Sequence, residues 1–504
     1  MARRGAVAQG FSLPAPVGGW NARDSWELMG PTDAIILDNM FPYPAYCAVR
    51  RGSAQHATGV GNAQVEALDE WAGPAGRRMI AAGGGAIYDA SSAGPAVSLG
   101  TGFSSNRWQS ALYKHRLFFA NGSDAMQVYD GSTLAPAGFT GVSLSLIVAG
   151  CVYRERMFWV ERDSASFWYG GTGSIAGALT KYDLTEVLQY GGALMAVATW
   201  TRDGGSGPDD LFCAIMDTGE VVLFSGGDPG DINNWTRIGN FMLGRPLGRR
   251  CWCKYGSDLL IATEYGIMEL SKVLPYGLSR PGLALTDKIQ TAFQEAARGA
   301  FDAFGWQIRM HPRGGFLLVN YPVDGSSTAF RQFVMNVQTG AWCRFKGFVS
   351  NCWTVFDGDL YFGNNAGAVI QGDTGEDDQG RAIAWEGLTS FQYLGGRGRQ
   401  KQVTLVRPLI AANAQTDYEV ATPVDYRLQQ NQYTPAATAT GSAAWDDAEW
   451  DSSAWADAPI VDVYGWEGGT QVGYAIAVRL RGQAQSVTAQ WFSTDLHAMV
   501  GGPL

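Results

Sequence analysis

Apolar residues in this chain come in short unbroken runs separated by Gly, Asn and Asp, and the runs return at a nearly regular distance. Met79-Ile80-Ala81-Ala82 leads through Gly83-Gly84-Gly85 to Ala86-Ile87-Tyr88-Asp89. Arg116-Leu117-Phe118-Phe119-Ala120 leads through Asn121-Gly122-Ser123-Asp124 to Met126-Gln127-Val128-Tyr129-Asp130. The same grammar joins Met157–Val160 to Ser166–Tyr169, Leu211–Ala214 to Val221–Phe224, Leu259–Ala262 to Ile267–Leu270, Phe316–Val319 to Phe333–Val337, and Leu360–Gly363 to Ala368–Ile370. Each is a β-hairpin by pattern, because a run of four or five apolar residues suits a strand and the intervening residues suit tight turns. A further apolar run often precedes the hairpin, as at Trp108–Tyr113, Leu146–Tyr153, Cys251–Tyr255 and Cys352–Phe356.

Three strands in a meander, with room for a fourth, are the content of one propeller blade. The seven centres lie near Ile80, Phe118, Phe158, Phe212, Leu260, Leu318 and Tyr361. Their spacing is close to the roughly 40–50 residues of blade repeats. The expected fold is all-β: a β-propeller of six or seven blades, with an extended N-terminal arm over residues 1–62 and a C-terminal antiparallel β-sandwich. The propeller is expected over 63–378. One stretch breaks the pattern: Thr286–Phe304 places Ile289, Phe293 and Ala296-Ala297 at helical spacing, with Thr286 or Asp287 as cap, and predicts a short helix between blades. The acidic, Gly-rich stretch Gly372–Arg381 marks a boundary. Beyond it, Ala384–Tyr393, Gln402–Ile410, Asp417–Arg427, Tyr474–Leu480 and Ser486–Phe492 read as strands of the 379–504 domain. The Pro-rich N-terminal residues cannot form a core alone and are expected to wrap on the propeller or on a neighbouring subunit.

Composition narrows the function. Charged residues make up 17% of the 504 positions and the formal net charge is −10, which argues against a protein that grips duplex DNA by neutralising phosphates. An acidic bore past which DNA slides is compatible with it. The seven cysteines are widely spaced and odd in number, so no disulfide framework is expected. The longest apolar runs are too short to span a bilayer, so the chain is expected to be made in the cytoplasm without a membrane anchor.

No catalytic or metal-binding signature in the sequence is complete. The four histidines, His56, His115, His311 and His497, are scattered, and Cys251-Trp252-Cys253 lacks a second pair of ligands. No phosphate-binding loop or nucleophile elbow is present. The acids Asp217, Asp357, Asp359 and Asp373 sit where turns are expected and read as turn-closing residues. No cofactor, no metal and no enzymatic activity are therefore expected. The Trp445, Trp450 and Trp455 series in an Asp-rich stretch suits either buried aromatics or a sugar-stacking platform. The basic pairs Arg3-Arg4, Arg50-Arg51, Arg77-Arg78 and Arg249-Arg250, with Arg397, Arg399 and Lys401, suit carboxylates on a neighbouring subunit and equally suit ordinary solvated positions.

The N-terminal segment carries a family resemblance. Pro16-Val17-Gly18-Gly19-Trp20-Asn21-Ala22-Arg23-Asp24, Met29, Asp33-Ala34, Leu37-Asp38-Asn39-Met40-Phe41-Pro42 and Val49-Arg50-Arg51-Gly52 resemble the opening of tail hub or nozzle proteins of short-tailed bacteriophages, related to the packaged-DNA stabilisation protein. The resemblance implies a structural virion protein in the tail: a propeller subunit in a homohexameric ring below the portal and adaptor proteins. The ring would serve as the exit conduit for double-stranded DNA, without sequence-specific binding, and as the attachment point for tail fibres or spikes. It makes Trp20, Arg23, Phe41, Arg50 and Arg51, together with Trp445, Trp450 and Trp455, the candidate interface residues. The alternative is a glycan-binding or glycan-degrading propeller, a receptor-binding component or depolymerase.

Overall fold

The computed structural model describes residues 7–203, 208–275, 282–413, 416–428, 460–463 and 465–501. The chain forms two compact units. One comprises Gln55–Arg331 and Val349–Gly372; the other gathers the N-terminal residues through Ala54, Gln332–Phe348 and the chain from Asp373 onward.

The first unit is a seven-bladed β-propeller. Its innermost strands are Val65–Gly73, Gln109–Tyr113, Ile147–Tyr153, Leu194–Asp203, Trp252–Tyr255, Gln307–His311 and Cys352–Phe356. Each packs against the next blade in chain order, and Cys352–Phe356 returns to Val65–Gly73, so the ring closes. Blades 1 to 4 are four-stranded antiparallel sheets, and blade 5 has three strands. Blade 7 is built from both ends of the propeller: Cys352–Phe356, Asp359–Gly363 and Val369–Gly372 are joined by Ser53–Thr58, which precedes blade 1 in the chain. All seven repeat centres read from the sequence fall in seven different blades.

The unbroken apolar runs have a simple cause. Successive side chains of a strand point to opposite faces, and a blade inside a closed ring has a neighbour on each face. In blade 1, Met79 and Ala81 enter a core shared with blade 7, while Ile80 and Ala82 enter one shared with blade 2. In blade 2, Leu117 and Phe119 face blade 1, and Phe118 and Ala120 face blade 3. In blade 3, Met157 and Trp159 face blade 2, and Phe158 and Val160 face blade 4. Both faces must be apolar, so the alternation expected of a half-exposed strand disappears. Aromatic rings fill the wedges: Phe118 and Phe139 meet Trp159 edge-on, and Phe158 meets Phe212 across the blade 3–4 boundary at a centroid distance of 4.7 Å.

The segment between blades 5 and 6 contains a 3-10 turn, Asp287–Ile289, followed by the helix Gln290–Gly299, with Phe293 and Ala297 buried. Thr286 does not cap it by its side chain; its Oγ1 accepts the Ile267 N–H instead. A four-residue helix at Leu270–Val273 was not anticipated.

The second unit is a β-sandwich. One sheet runs Ile460–Val463, Lys401–Ala412, Ala489–Val500, Cys47–Val49, Met40–Pro42; the other contains Trp342–Phe345, Asp33–Asp38, Ile383–Thr389, Arg479–Ala484 and Asp417–Ala421 in that order. They meet face to face at Gly387, where a Cβ would lie 2.9 Å from the buried Trp491 ring and 3.1 Å from Met40 Sδ. The units do not follow the sequence boundaries 1–62, 63–378 and 379–504. The N-terminal arm is extended: Val7–Pro14 pairs antiparallel with Ser493–Val500, and Ser53–Thr58 joins blade 7 of the propeller. The strand expected at Tyr474–Leu480 lies at Arg479–Ala484, and the last one runs on to Val500. Among the described residues no helix is long and apolar enough to cross a membrane.

Double-faced burial gives a direct expectation. Phe158→Ala and Trp159→Ala, adjacent in sequence but in different cores, should each cost about 3–5 kcal/mol. Val97→Ala, at a side chain 65% exposed on an outer strand, should change stability by less than about 0.5 kcal/mol. Urea denaturation checks all three; a small effect at either aromatic would contradict a blade covered on both faces.

Candidate functional site

The segment carrying the resemblance is densely hydrogen-bonded within the sandwich unit. Arg50 is at its centre, with a side chain only 1% exposed. A guanidinium has five N–H donors in a fixed plane, and all five are used. Nε donates to Asn39 Oδ1 at 3.0 Å; Nη1 donates to Arg51 O at 2.9 Å and Asp378 Oδ1 at 3.0 Å; Nη2 donates to Lys346 O at 2.9 Å and Asp378 Oδ2 at 2.6 Å. The Phe348 ring lies 3.9 Å from Cζ, against the guanidinium face. The cation is thus desolvated but fully compensated, the condition under which a buried charge is tolerated.

Asn39 extends the network. It sits at φ 54°, a conformation that Asn tolerates better than most residues. Its Oδ1 also accepts the Lys346 N–H at 2.7 Å, and its Nδ2 donates to Ala384 O at 2.7 Å. The preceding Asp38 takes a two-pronged contact from Arg344, at 2.7 and 2.9 Å, and the Lys346 ammonium at 2.5 Å. Arg344 stacks over Trp20 at 4.9 Å, and Trp20 lies on Phe333. Two of the three motif glycines show plain steric reasons: Gly19, at φ 82°, passes so close to Trp342 that a Cβ would meet its backbone N at 2.6 Å, and a Cβ on Gly52 would meet Asp377 O at 1.8 Å. The motif therefore ties together the three separate stretches of chain that make this unit.

The candidate interface residues divide accordingly. Trp20, Phe41 and Arg50 are buried inside the unit, so they serve its own fold and not a surface. Arg23 is exposed, paired with the adjacent Asp24 at 2.7 Å, and Arg51 is exposed beside Glu376 and Thr488. Trp445, Trp450 and Trp455 lie outside the described residues. Sequence reasoning missed Asp378, Arg344 and the role of Asn39. Among the other basic groups, Arg77 pairs with Glu70, and Lys401 is wholly buried, donating to Gly396 O and Tyr474 O, with burial lowering its ammonium pKa.

The propeller has a second candidate site along its axis. A cavity of about 480 Å³ is walled by the inner strands of blades 1, 2, 5, 6 and 7 and reached by Asp69, Glu70, Arg249, Arg250, Lys254 and Arg309. Four cations face two carboxylates, so this cavity is basic although the chain is acidic. A bore this small also holds no duplex. Arg250 additionally borders an adjoining cavity of about 450 Å³, partly closed by Phe301–Trp306, whose Phe304 lies over both Arg107 and Arg250. Asp69 stands 3.9 Å from Arg309, and burial raises its carboxyl pKa against the pull of that cation.

All seven cysteines are free and six are buried; burial pushes Cys151, Cys251 and Cys352 up to about 12. Among the described residues no group of His, Cys, Asp and Glu is arranged to hold a metal ion. Asp217 accepts the Ala193 N–H at 2.9 Å across a turn, and Asp359 pairs with Arg313.

Arg50→Met should destabilise the sandwich unit by about 3–5 kcal/mol, because it leaves the part-buried Asp378 carboxylate without its cation and takes one of two donors from Asn39 Oδ1. Arg50→Lys keeps the charge but supplies three donors where five are used, and should cost about 1–3 kcal/mol. Chemical denaturation reads both; a lysine variant as stable as the parent would contradict the geometric account.

No family model and no curated protein matches the chain. Among solved structures it is similar to YCF48 bound to D1 peptide, at 8% identity over 66% of this chain and 95% of that one, with a TM-score of 0.39. It is also similar to BBS1N in complex with ARL6DN, at 11% identity over 64% and 97%, TM-score 0.39, and to the computationally designed Ika8 protein, at 9% over 67% and 96%, TM-score 0.35. The propeller assignment rests on the closed ring of seven inner strands and not on these likenesses.

Proposed function

We propose that this chain is a structural subunit of the tail hub of a short-tailed bacteriophage, assembling into a ring with copies of itself below portal and adaptor proteins. The observation that carries the reading is the use made of Gly18–Gly52. The residues that resemble tail hub proteins are spent on holding strands together: Gly19 and Gly52 on close approach, Asp38, Asn39 and Arg50 on joining three stretches of chain. That is the pattern of a part selected to keep its shape.

The sandwich unit also presents surface suited to association. Among the described residues Val7–Pro14 pairs on one side only, with the C-terminal strand, leaving an uncharged edge of the kind that invites pairing. On one sheet Leu405, Trp466, Val472 and Met499 are each more than a third exposed, and Trp466 is held between Arg407 and His497. Exposed apolar residues grouped on neighbouring strands suit an interaction surface. The DNA conduit in this reading lies between subunits, because the propeller axis is too small for a duplex. Fibres or spikes would attach to the outward loops.

Mass photometry and negative-stain imaging of the purified chain, alone and mixed with portal and adaptor, test the proposal. Sixfold rings are expected, and Leu405→Asp with Met499→Asp should shift the population to monomers while leaving the circular dichroism unchanged. A chain that stays monomeric in every mixture would contradict it.

A further inference from the structure

We propose that the axial cavity of the propeller is a binding site for a small organic oxyanion, a phosphate monoester or a carboxylate. Four cations are gathered there against two carboxylates, Asp69 and Glu70. Among the described residues Arg249, Arg250 and Lys254 have no carboxylate within ion-pair distance, and of the two cavity acids Glu70 is engaged by Arg77. Arg309 donates its Nε to Trp353 O and meets Asp69 only at 3.9 Å.

Arg250 is the most telling of these. Its Nη2 donates to Glu66 O at 2.6 Å, but its Nη1 is buried with no hydrogen-bond partner. Buried donors are almost always satisfied, so an orphan at a cavity wall points to a missing acceptor. Like charges held together in a narrow space also repel one another, and an anion among them relieves that repulsion while gaining charge-assisted hydrogen bonds.

Size sets the class of ligand. About 480 Å³ is within the range of small-molecule sites and larger than one inorganic oxyanion needs. Trp252 and Met310 on the same wall offer apolar surface for the remainder of the molecule. The oxyanion would sit towards Arg250 and Arg309, with Lys254 at the exposed rim.

Calorimetry and thermal shift on the full chain test this, with inorganic phosphate and citrate as probes against chloride at matched ionic strength. Saturable binding of at least one probe is expected, weakened at least fivefold by Lys254→Met and abolished by Arg250→Met. Lys254 is exposed, so its variant stays informative if the Arg250 variant folds poorly. Response to phosphate alone assigns a phosphoryl ligand, response to citrate alone a carboxylate, and response to both the shared oxyanion chemistry. No saturable response in the parent, or an equal response in the parent and Lys254→Met, overturns the proposal. The site lies within one propeller and its test reads a monomer as well as a ring, so failure here leaves the assembly proposal standing.

Discussion

A propeller blade is stable only when both of its faces are covered, and both faces are covered only when the ring closes. Closure here depends on Ser53–Thr58, a strand made before blade 1, joining Val369–Gly372 after the chain has traversed all seven blades. Immediately before that strand stands Arg50; shortly after its partner stands Asp378. Their ion pair, with the Ser53 N–H donating to Asp377 O and the Gln379 N–H to Ser53 O, fastens the two chain ends side by side at the seam. The entropy of bringing residues more than three hundred positions apart together is recovered by a contact that satisfies every donor of the guanidinium.

From this seam the rest follows. A closed ring makes each blade interior on both sides, which is why Phe158 and Trp159, neighbours on one strand, are both fully buried in different cores. It also places the inner strands around an axis where side chains from five blades converge. What they enclose is set by inner-strand residues and the segments just before them, here Asp69, Arg249, Arg250, Lys254 and Arg309. The net acidity of the chain is carried elsewhere, so the sign of the axial cavity is opposite to that of the protein.

The periodic part of this architecture was legible in the sequence because double-faced burial writes itself as unbroken apolar runs, and the seven runs were countable. Inner strands at Cys251–Tyr255 and Cys352–Phe356 and the helix around Phe293 were legible for the same reason. Pairings across long stretches of chain were not: nothing local to Val7–Pro14 indicates that its partner is Ser493–Val500, nor does Gln332–Phe348 signal that it leaves the propeller for the other unit. In sequence Arg50 reads as one of a basic pair on a surface, because arginine is seldom fully buried; only the fold reveals that Asn39, Lys346 and Asp378 surround it. Arg249 and Arg250 read in the same way, since convergence on an axis leaves no trace in sequence spacing.

Hydrogen–deuterium exchange of the native protein tests the seam most directly. If Ser53–Thr58 closes the ring, its amides exchange only with global opening, as slowly as those of Met157–Val160 in the middle of blade 3. Exchange of Ser53–Thr58 on the timescale of a frayed terminus, with blade 3 still protected, would contradict the account.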